Sequence, residues 1–196
     1  MDEQHWVEKS RWRVYTDGSD VDGGVGAAAV LITPGTAPKT LRYHLGPSTD
    51  HSVYEGEVVG LALGMELLHR ERTCHAASCA ADNTASLRAT QNRKPHPAHY
   101  LVDELIQQIS TLQKRHPGIA LTLRWVPGHK GIEGNELADI EAKKAARGDS
   151  SPAEDLPGWL RKRGTLPRSV SKARQTINTE ITRRAKEEWR RSPRAT

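Results

Sequence analysis

The change of hydrophobic period at Tyr54 constrains this chain more than any other feature of its sequence. Before it, three runs of strand length (residues 11–16, 25–33 and 40–45) are joined by the turn chemistry of residues 20–24 and by Pro34-Gly35. Connections this short fit antiparallel neighbours, so the runs predict a meander. From Tyr54 to Arg72 the apolar positions Val58, Leu61, Ala62, Met65 and Leu68 recur at helical spacing with no proline among them. A short apolar strand follows at 76–81 and ends at Asp82-Asn83; a brief helix spans 84–90, and a Pro/His loop spans 91–97. Leu101, Leu105, Ile106, Ile109 and Leu112 mark a second long helix, stopped by Pro117-Gly118. An alternating strand at 119–126 and a helix from about Asn135 to Arg147 complete the order βββαβααβα. That order predicts an α/β fold with a mixed five-stranded sheet flanked by helices.

A chain of 196 residues suits one such domain and an appendage. The expected boundaries are a catalytic-sized domain at 11–148, a linker at 149–168 and a basic helical tail at 169–196. Residues 149–157 read as linker by composition, and the tail carries Ile177, Ile181 and Trp189 along one helical stripe. From Leu156 onward stand 12 Lys/Arg and 3 acids, a net of +9, whereas residues 1–155 hold 17 basic and 21 acidic residues, a net of −4. A basic tail on an acidic body points to a polyanionic partner; the alternative is a brace whose apolar stripe docks on the body or on a neighbouring domain. Cys74 and Cys79 cannot build a disulfide framework, and no apolar run reaches the ~18 residues of a membrane span. The first ten residues, with Asp2, Glu3 and Glu8, fit neither a secretory signal nor a transit peptide. The expectation is a soluble intracellular protein without a membrane partner.

Four acids fall where strand ends and helix starts can converge. Asp17 is placed at the end of the first strand, Glu57 at the opening of the first helix, Asp82 after the fourth strand, and Asp139 in the first turns of the last helix. Four carboxylates at one sheet edge cannot all ionise without cations between them. All-oxygen ligation favours Mg²⁺, with Mn²⁺ as substitute, and two such ions are the arrangement for in-line phosphoryl displacement.

The segments Tyr15-Thr-Asp-Gly-Ser19, Tyr54-Glu-Gly-Glu57, Asp82-Asn83 and Trp125-Val-Pro-Gly-His-Lys-Gly-Ile-Glu-Gly-Asn-Glu-Leu-Ala-Asp139 resemble type 1 ribonuclease H, closest in flavour to the ribonuclease H domains of retrotransposon polyproteins. The resemblance runs from about Arg11 to Arg147 and implies a ribonuclease H-like fold. It also implies metal-dependent endonucleolytic cleavage of the RNA strand of RNA/DNA hybrids, leaving 5′-phosphate and 3′-hydroxyl ends. Carried over position by position, Asp17, Glu57, Asp82 and Asp139 match the metal-binding carboxylates. Glu57 is chosen over Glu55 because the family glutamate is followed nine residues later by another, here Glu66. His129 matches a loop histidine that assists water activation or product release. Asn135 matches a residue expected to order that loop and cap the last helix, with Glu136 an outer candidate. Bacterial and animal enzymes of this type often carry a basic handle between the short and long helices. Here that stretch is residues 90–99, with Arg93 and Lys94 its only cations. The tail is the expected substitute, and a polyprotein origin would bring a neighbouring reverse transcriptase domain.

Other readings fare worse. Gly24-Val-Gly-Ala-Ala-Ala29 with Asp50 imitates a dinucleotide-binding fingerprint, but Pro34-Gly35 leaves no room for the helix it needs. Cys74, Cys79, His96 and His99 have no common zinc spacing, and residues 17–22 lack the glutamate an EF-hand requires. A catalytically idle nucleic-acid-binding or scaffold module of the same fold is the remaining alternative.

Overall fold

The computed structural model describes residues 11–91, 98–128 and 130–192. Five strands, β1 (Trp12–Val21), β2 (Gly24–Ile32), β3 (Lys39–Pro47), β4 (Ala76–Ala81) and β5 (Ala120–Trp125), form one sheet in the order β3-β2-β1-β4-β5. β1, β2 and β3 are antiparallel neighbours, while β4 pairs parallel with both β1 and β5. This is the mixed, helix-flanked sheet the periodicity predicts. The helices are α1 (Val53–His69), α2 (Thr84–Ala89), α3 (His99–Arg115), α4 (Glu133–Ala146), α5 (Gly158–Arg163) and α6 (Val170–Arg191).

Alternation along β1 divides the interior into two layers. Trp12 and Val14 join the larger core with Leu31, Leu61, Leu63, Met65 and Leu105, whereas Tyr15 joins Val30, Ala80, Val126 and Ala138 under α4. Cys79, fully buried in the larger core, and nearby Cys74 are free thiols held protonated by burial. Helix α1 begins at a capping box: Ser52 accepts from the Glu55 N–H, and the Glu55 carboxylate accepts from the Ser52 N–H at 2.8 Å.

Two expectations are corrected here, and the alternative reading of the tail is weighed with them. Asp17 does not end the first strand, which continues through Gly18 and Ser19 to Val21 and pairs Asp17 with Ala28. Asp-Gly-Ser is turn chemistry only when nothing occupies both flanks, and here β2 pairs on one side and α1 packs above. Asn135 does not cap the last helix: Gly131, at φ +73°, turns the chain early, Ile132 takes the cap position, and Asn135 falls inside the first turn. The tail helix does not brace the body, because no residue of α6 is buried.

Residues 149–168, linker-like by composition, are held against the body. The Ser150 and Ser151 hydroxyls accept from the His44 and Arg42 N–H groups at 2.8 and 2.9 Å, covering the open edge of β3. Leu156, Leu160 and Leu166 are buried in the larger core. Arg70 pairs with Asp155 at 2.7 Å, and Arg163 pairs with Glu104 at 3.0 Å while lying over the Tyr100 ring.

Candidate active site

The register of the sheet assembles the site. Thr16 on β1 is level with Ala81 on β4, so the next residues along these parallel strands, Asp17 and Asp82, stand side by side. Helix α1 supplies the third carboxylate by lying unusually close to β1. A methyl group on Gly18 would meet the Glu57 nitrogen at 2.4 Å, and one on Gly60 would meet the Ala28 and Asp17 carbonyl oxygens at 3.1 Å. Glycine at these positions lets backbone touch backbone. In consequence Asp17, Glu57 and Asp82 offer carboxylate oxygens that all lie within 4.8 Å of one another.

This clustering is electrostatically expensive. Burial, then the charges of Asp82 and Asp139, raises the Asp17 carboxyl from 3.8 to about 7. Burial, then Asp17 and Asp82, raises Glu57 from 4.5 to about 9. The Gly18 N–H opposes both shifts, and the Asn83 side chain opposes the second. Without cations the cluster therefore holds protons near neutral pH. One Glu57 oxygen, Oε2, is buried with no hydrogen-bond partner. A buried orphan oxygen on one of three close carboxylates fits a hard divalent cation.

Asp139, on the second turn of α4, is near enough to perturb Asp17 but its Oδ2 accepts from Lys143 Nζ at 2.7 Å. Lys143, whose charge also acts to lower the Asp17 carboxyl, thus lies near both Asp139 and the three-residue cluster. Glu55, two residues before Glu57, is 1% exposed and turned to Ser52, so the two glutamates divide into a helix cap and a site residue. His129 lies outside the described residues, as do Arg93 and Lys94. Asn135 is buried with Oδ1 unpartnered, and Glu136 lies in the first turn of α4.

Residues not anticipated from sequence also shape the site. Trp125 Nε1 donates to the Asp82 carbonyl at 2.9 Å, fixing the end of β4 against that of β5. A methyl group on Gly128 would come within 2.6 Å of Asp82 Oδ2, so the loop after β5 presses its bare backbone on that carboxylate. Lys143 stands four residues after Asp139, a spacing that brings the two side chains together once the helix is formed. Gly18 and Gly128 carry no signal of this kind in the sequence, because their neighbours come from distant segments.

A family model for RNase H matches residues 9–147. The chain belongs to the RNase H family. Among solved structures it is similar to the N-terminal RNase H domain of Rv2228c from Mycobacterium tuberculosis, at a TM-score of 0.54 and 19% identity, covering 71% of this chain and 95% of that one. It is also similar to RNase H1 from the halophilic archaeon Halobacterium salinarum NRC-1, at 0.53 and 15%, covering 71% and 99%. At these identities the likeness concerns the RNase H fold alone. No curated protein sequence matches the chain. The segment from Gly148 onward, with the β3 edge cover and α6, lies beyond the family match.

Proposed function

We propose that this RNase H family member is an endonuclease that hydrolyses the RNA strand of RNA/DNA hybrids, leaving 5′-phosphate and 3′-hydroxyl ends. The observation that carries the reading is the convergence of Asp17, Glu57 and Asp82 within 4.8 Å. Two of these carboxyls are raised to about 7 and about 9, a state that divalent cations relieve. Asp17, Glu57 and Asp82, with Asp139, would hold two ions, Mg²⁺ or Mn²⁺. Such ions, when bound, supply charge neutralisation at the scissile phosphate and acidification of a water.

The chain's own contribution is placement. Gly18 N–H orients Asp17 and Glu57, while Trp125 and Gly128 fix Asp82. Glu57, raised to about 9, would have to give up its proton to ligate a cation. Asp139, which accepts from Lys143 at 2.7 Å, would be the residue to complete the ligand set beside Asp17. The carboxylates do not line the groove of about 680 Å³ found among the described residues, which lies on the α4 side beside Arg13, Tyr15, Arg124 and Ile132. They stand between the interior strands β1 and β4 and helix α1, with Asp17 and Glu57 buried and Asp82 half-buried. His129, on the strength of its motif, is proposed to assist proton movement or product departure. Recognition through 2′-hydroxyls and groove shape would leave sequence preference weak.

The test is cleavage of a labelled hybrid with Mg²⁺ and with EDTA. Wild type should cut only with Mg²⁺, Glu57→Gln should be inactive, and Glu55→Gln, which keeps the capping box, should be nearly as active as wild type. His129→Ala should slow turnover without abolishing it. No cleavage by any form under Mg²⁺ or Mn²⁺ would leave the idle binding module as the better reading.

A further inference from the structure

The helix beyond the family match carries a charge pattern that the carboxylate site does not use. Seven Lys/Arg and three Glu give α6 a net of +4 over 22 residues. Lys172, Thr176, Thr179, Arg183, Lys186 and Arg190 follow one another at intervals of four and three, which places them on one face. On the opposite face Ile177 and Ile181 are 57% and 60% exposed, so the helix is not seated on its own domain. Arg183 is committed to Glu180 and Glu187, at 2.7 and 2.6 Å. Lys172, Lys186 and Arg190 make no ion pair among the described residues. They form a line of unneutralised cations on a helix roughly 33 Å long, close to one turn of a nucleic-acid duplex.

The root of this helix is fixed at a telling place. β3 runs in the same direction as β1, since two antiparallel pairings separate them, and its last residue, Pro47, is level with Val21, past Asp17 in the direction in which β4 runs out into Asp82. The turn after β3 contains Asp50 and leads directly into α1, which bears Glu57. Asp50 clamps the start of α6: its carbonyl accepts from the Ser169 N–H at 2.8 Å, and its carboxylate pairs with Arg168 at 2.9 Å. Ser169 then caps the helix by accepting from the Lys172 N–H. A rigid basic rod is thereby launched from the carboxylate end of an otherwise acidic body.

We infer that α6 is a duplex-gripping arm, whose Lys172, Lys186 and Arg190 contact phosphates of a nucleic-acid duplex lying across the carboxylate end of the sheet. The inference rests on the nucleic-acid reading of the site, but it requires neither cleavage nor a hybrid. Contacts to phosphates alone do not distinguish strand type, so a DNA duplex should be gripped by the arm as a hybrid is. Charge complementarity selects this occupant. The body, net −4 through residue 155, repels a polyanion, and the unpaired cations on the arm supply the opposite sign.

The experiment measures equilibrium binding of the full chain to a labelled hybrid and to a labelled DNA duplex across 50–200 mM salt, in EDTA so that nothing is cut. The comparison is with the triple variant Lys172→Gln, Lys186→Gln, Arg190→Gln. Glutamine keeps helix propensity, and circular dichroism verifies that the helix survives. Three lost phosphate contacts should flatten the salt slope by about 2–3, so that the affinity ratio between the two salt limits shrinks roughly 40-fold on both duplexes. An unchanged slope on both would overturn the inference. So would loss of binding in Ile177→Ser, Ile181→Ser accompanied by a change from dimer to monomer, which would assign α6 to a second copy of this chain. Flattening of the slope together with failure of Mg²⁺-dependent cleavage would retain the arm and remove only the enzymatic reading.

Discussion

Replacing Asp17 by asparagine should make the metal-free protein more stable while destroying its capacity to gain stability from divalent cations. The carboxyl is 8% exposed and raised from 3.8 to about 7 in the folded state. A folded value above the unfolded one means the native state holds the proton more tightly. Stability from that group is therefore complete below about pH 4 and is lost as pH rises through about 7. At pH 8 the native carboxylate is ionised at a cost of up to about 4 kcal/mol, at about 1.4 kcal/mol per tenfold change in proton affinity. Coupling to Glu57, itself raised to about 9, shares that cost between the pair. The isosteric variant should consequently gain about 2–4 kcal/mol at pH 8 in EDTA, or roughly 5–15 °C in Tm for a chain of this size. At pH 4 the two proteins should melt together. Mg²⁺ at about 100 times its Kd should restore about 2.7 kcal/mol to wild type and add far less to the variant. The assay is thermal unfolding by circular dichroism from pH 4 to 9, with EDTA and with Mg²⁺. A variant that melts at or below wild type at pH 8 in EDTA would refute the claim that folding forces these charges together.

Gly128→Ala should lower divalent-cation affinity, measured by calorimetric titration with Mn²⁺, by about tenfold or more, because its methyl group would come within 2.6 Å of Asp82 Oδ2. Tm in EDTA should change little, since Asp82 can swing outward. Lys143→Gln should strengthen Mn²⁺ binding by freeing Asp139 from its 2.7 Å contact; unchanged binding would show that the lysine is no competitor. Leu160→Ala should cost about 2–4 kcal/mol in urea unfolding, as for other fully buried leucines, whereas truncation after Ser169 should cost almost nothing. Equal effects would mean that residues 149–168 are the loose connection their composition suggests.

Much of the architecture was legible because periodicity is local. The switch at Tyr54, the apolar run at 76–81 and the stripe from Leu101 to Leu112 each specify an element without reference to the rest of the chain, and the structure has all three. What escaped sequence reading depends on partners far away in sequence. Gly24 and Gly26 look like a phosphate-binding fingerprint, yet methyl groups there would strike the backbone of α4 at Ala146 within 2.2 Å; they are the floor on which α4 rests. Ser150 and Ser151 look like linker residues because nothing nearby shows that β3 leaves its edge N–H groups open for them. The acids of the site were legible through their motifs, but not that Asp139 is engaged by Lys143 or that Glu55 is a cap.

The fold and the charge cluster are parts of one energetic arrangement. Three carboxyl groups within 4.8 Å repel one another as they ionise, so the force that keeps them together above neutral pH without cations must come from elsewhere. It comes from the layers on either side of β1. Leu61, Leu63, Met65 and Leu68 of α1 are almost wholly buried, and burying each side chain contributes about 1.5–3 kcal/mol. Gly18 and Gly60 convert that attraction into backbone contact, so that Glu57 has no room to retreat from Asp17. Small residues matter here because they transmit the force: a methyl group at Gly18 would lift the helix and relax the repulsion along with the site. The extension beyond the family match follows the same logic at larger scale. Its leucines anchor residues 149–168 in the core, its clamp at Asp50 fixes where α6 begins, and its cations are left free to meet the polyanion that an acidic body would otherwise repel.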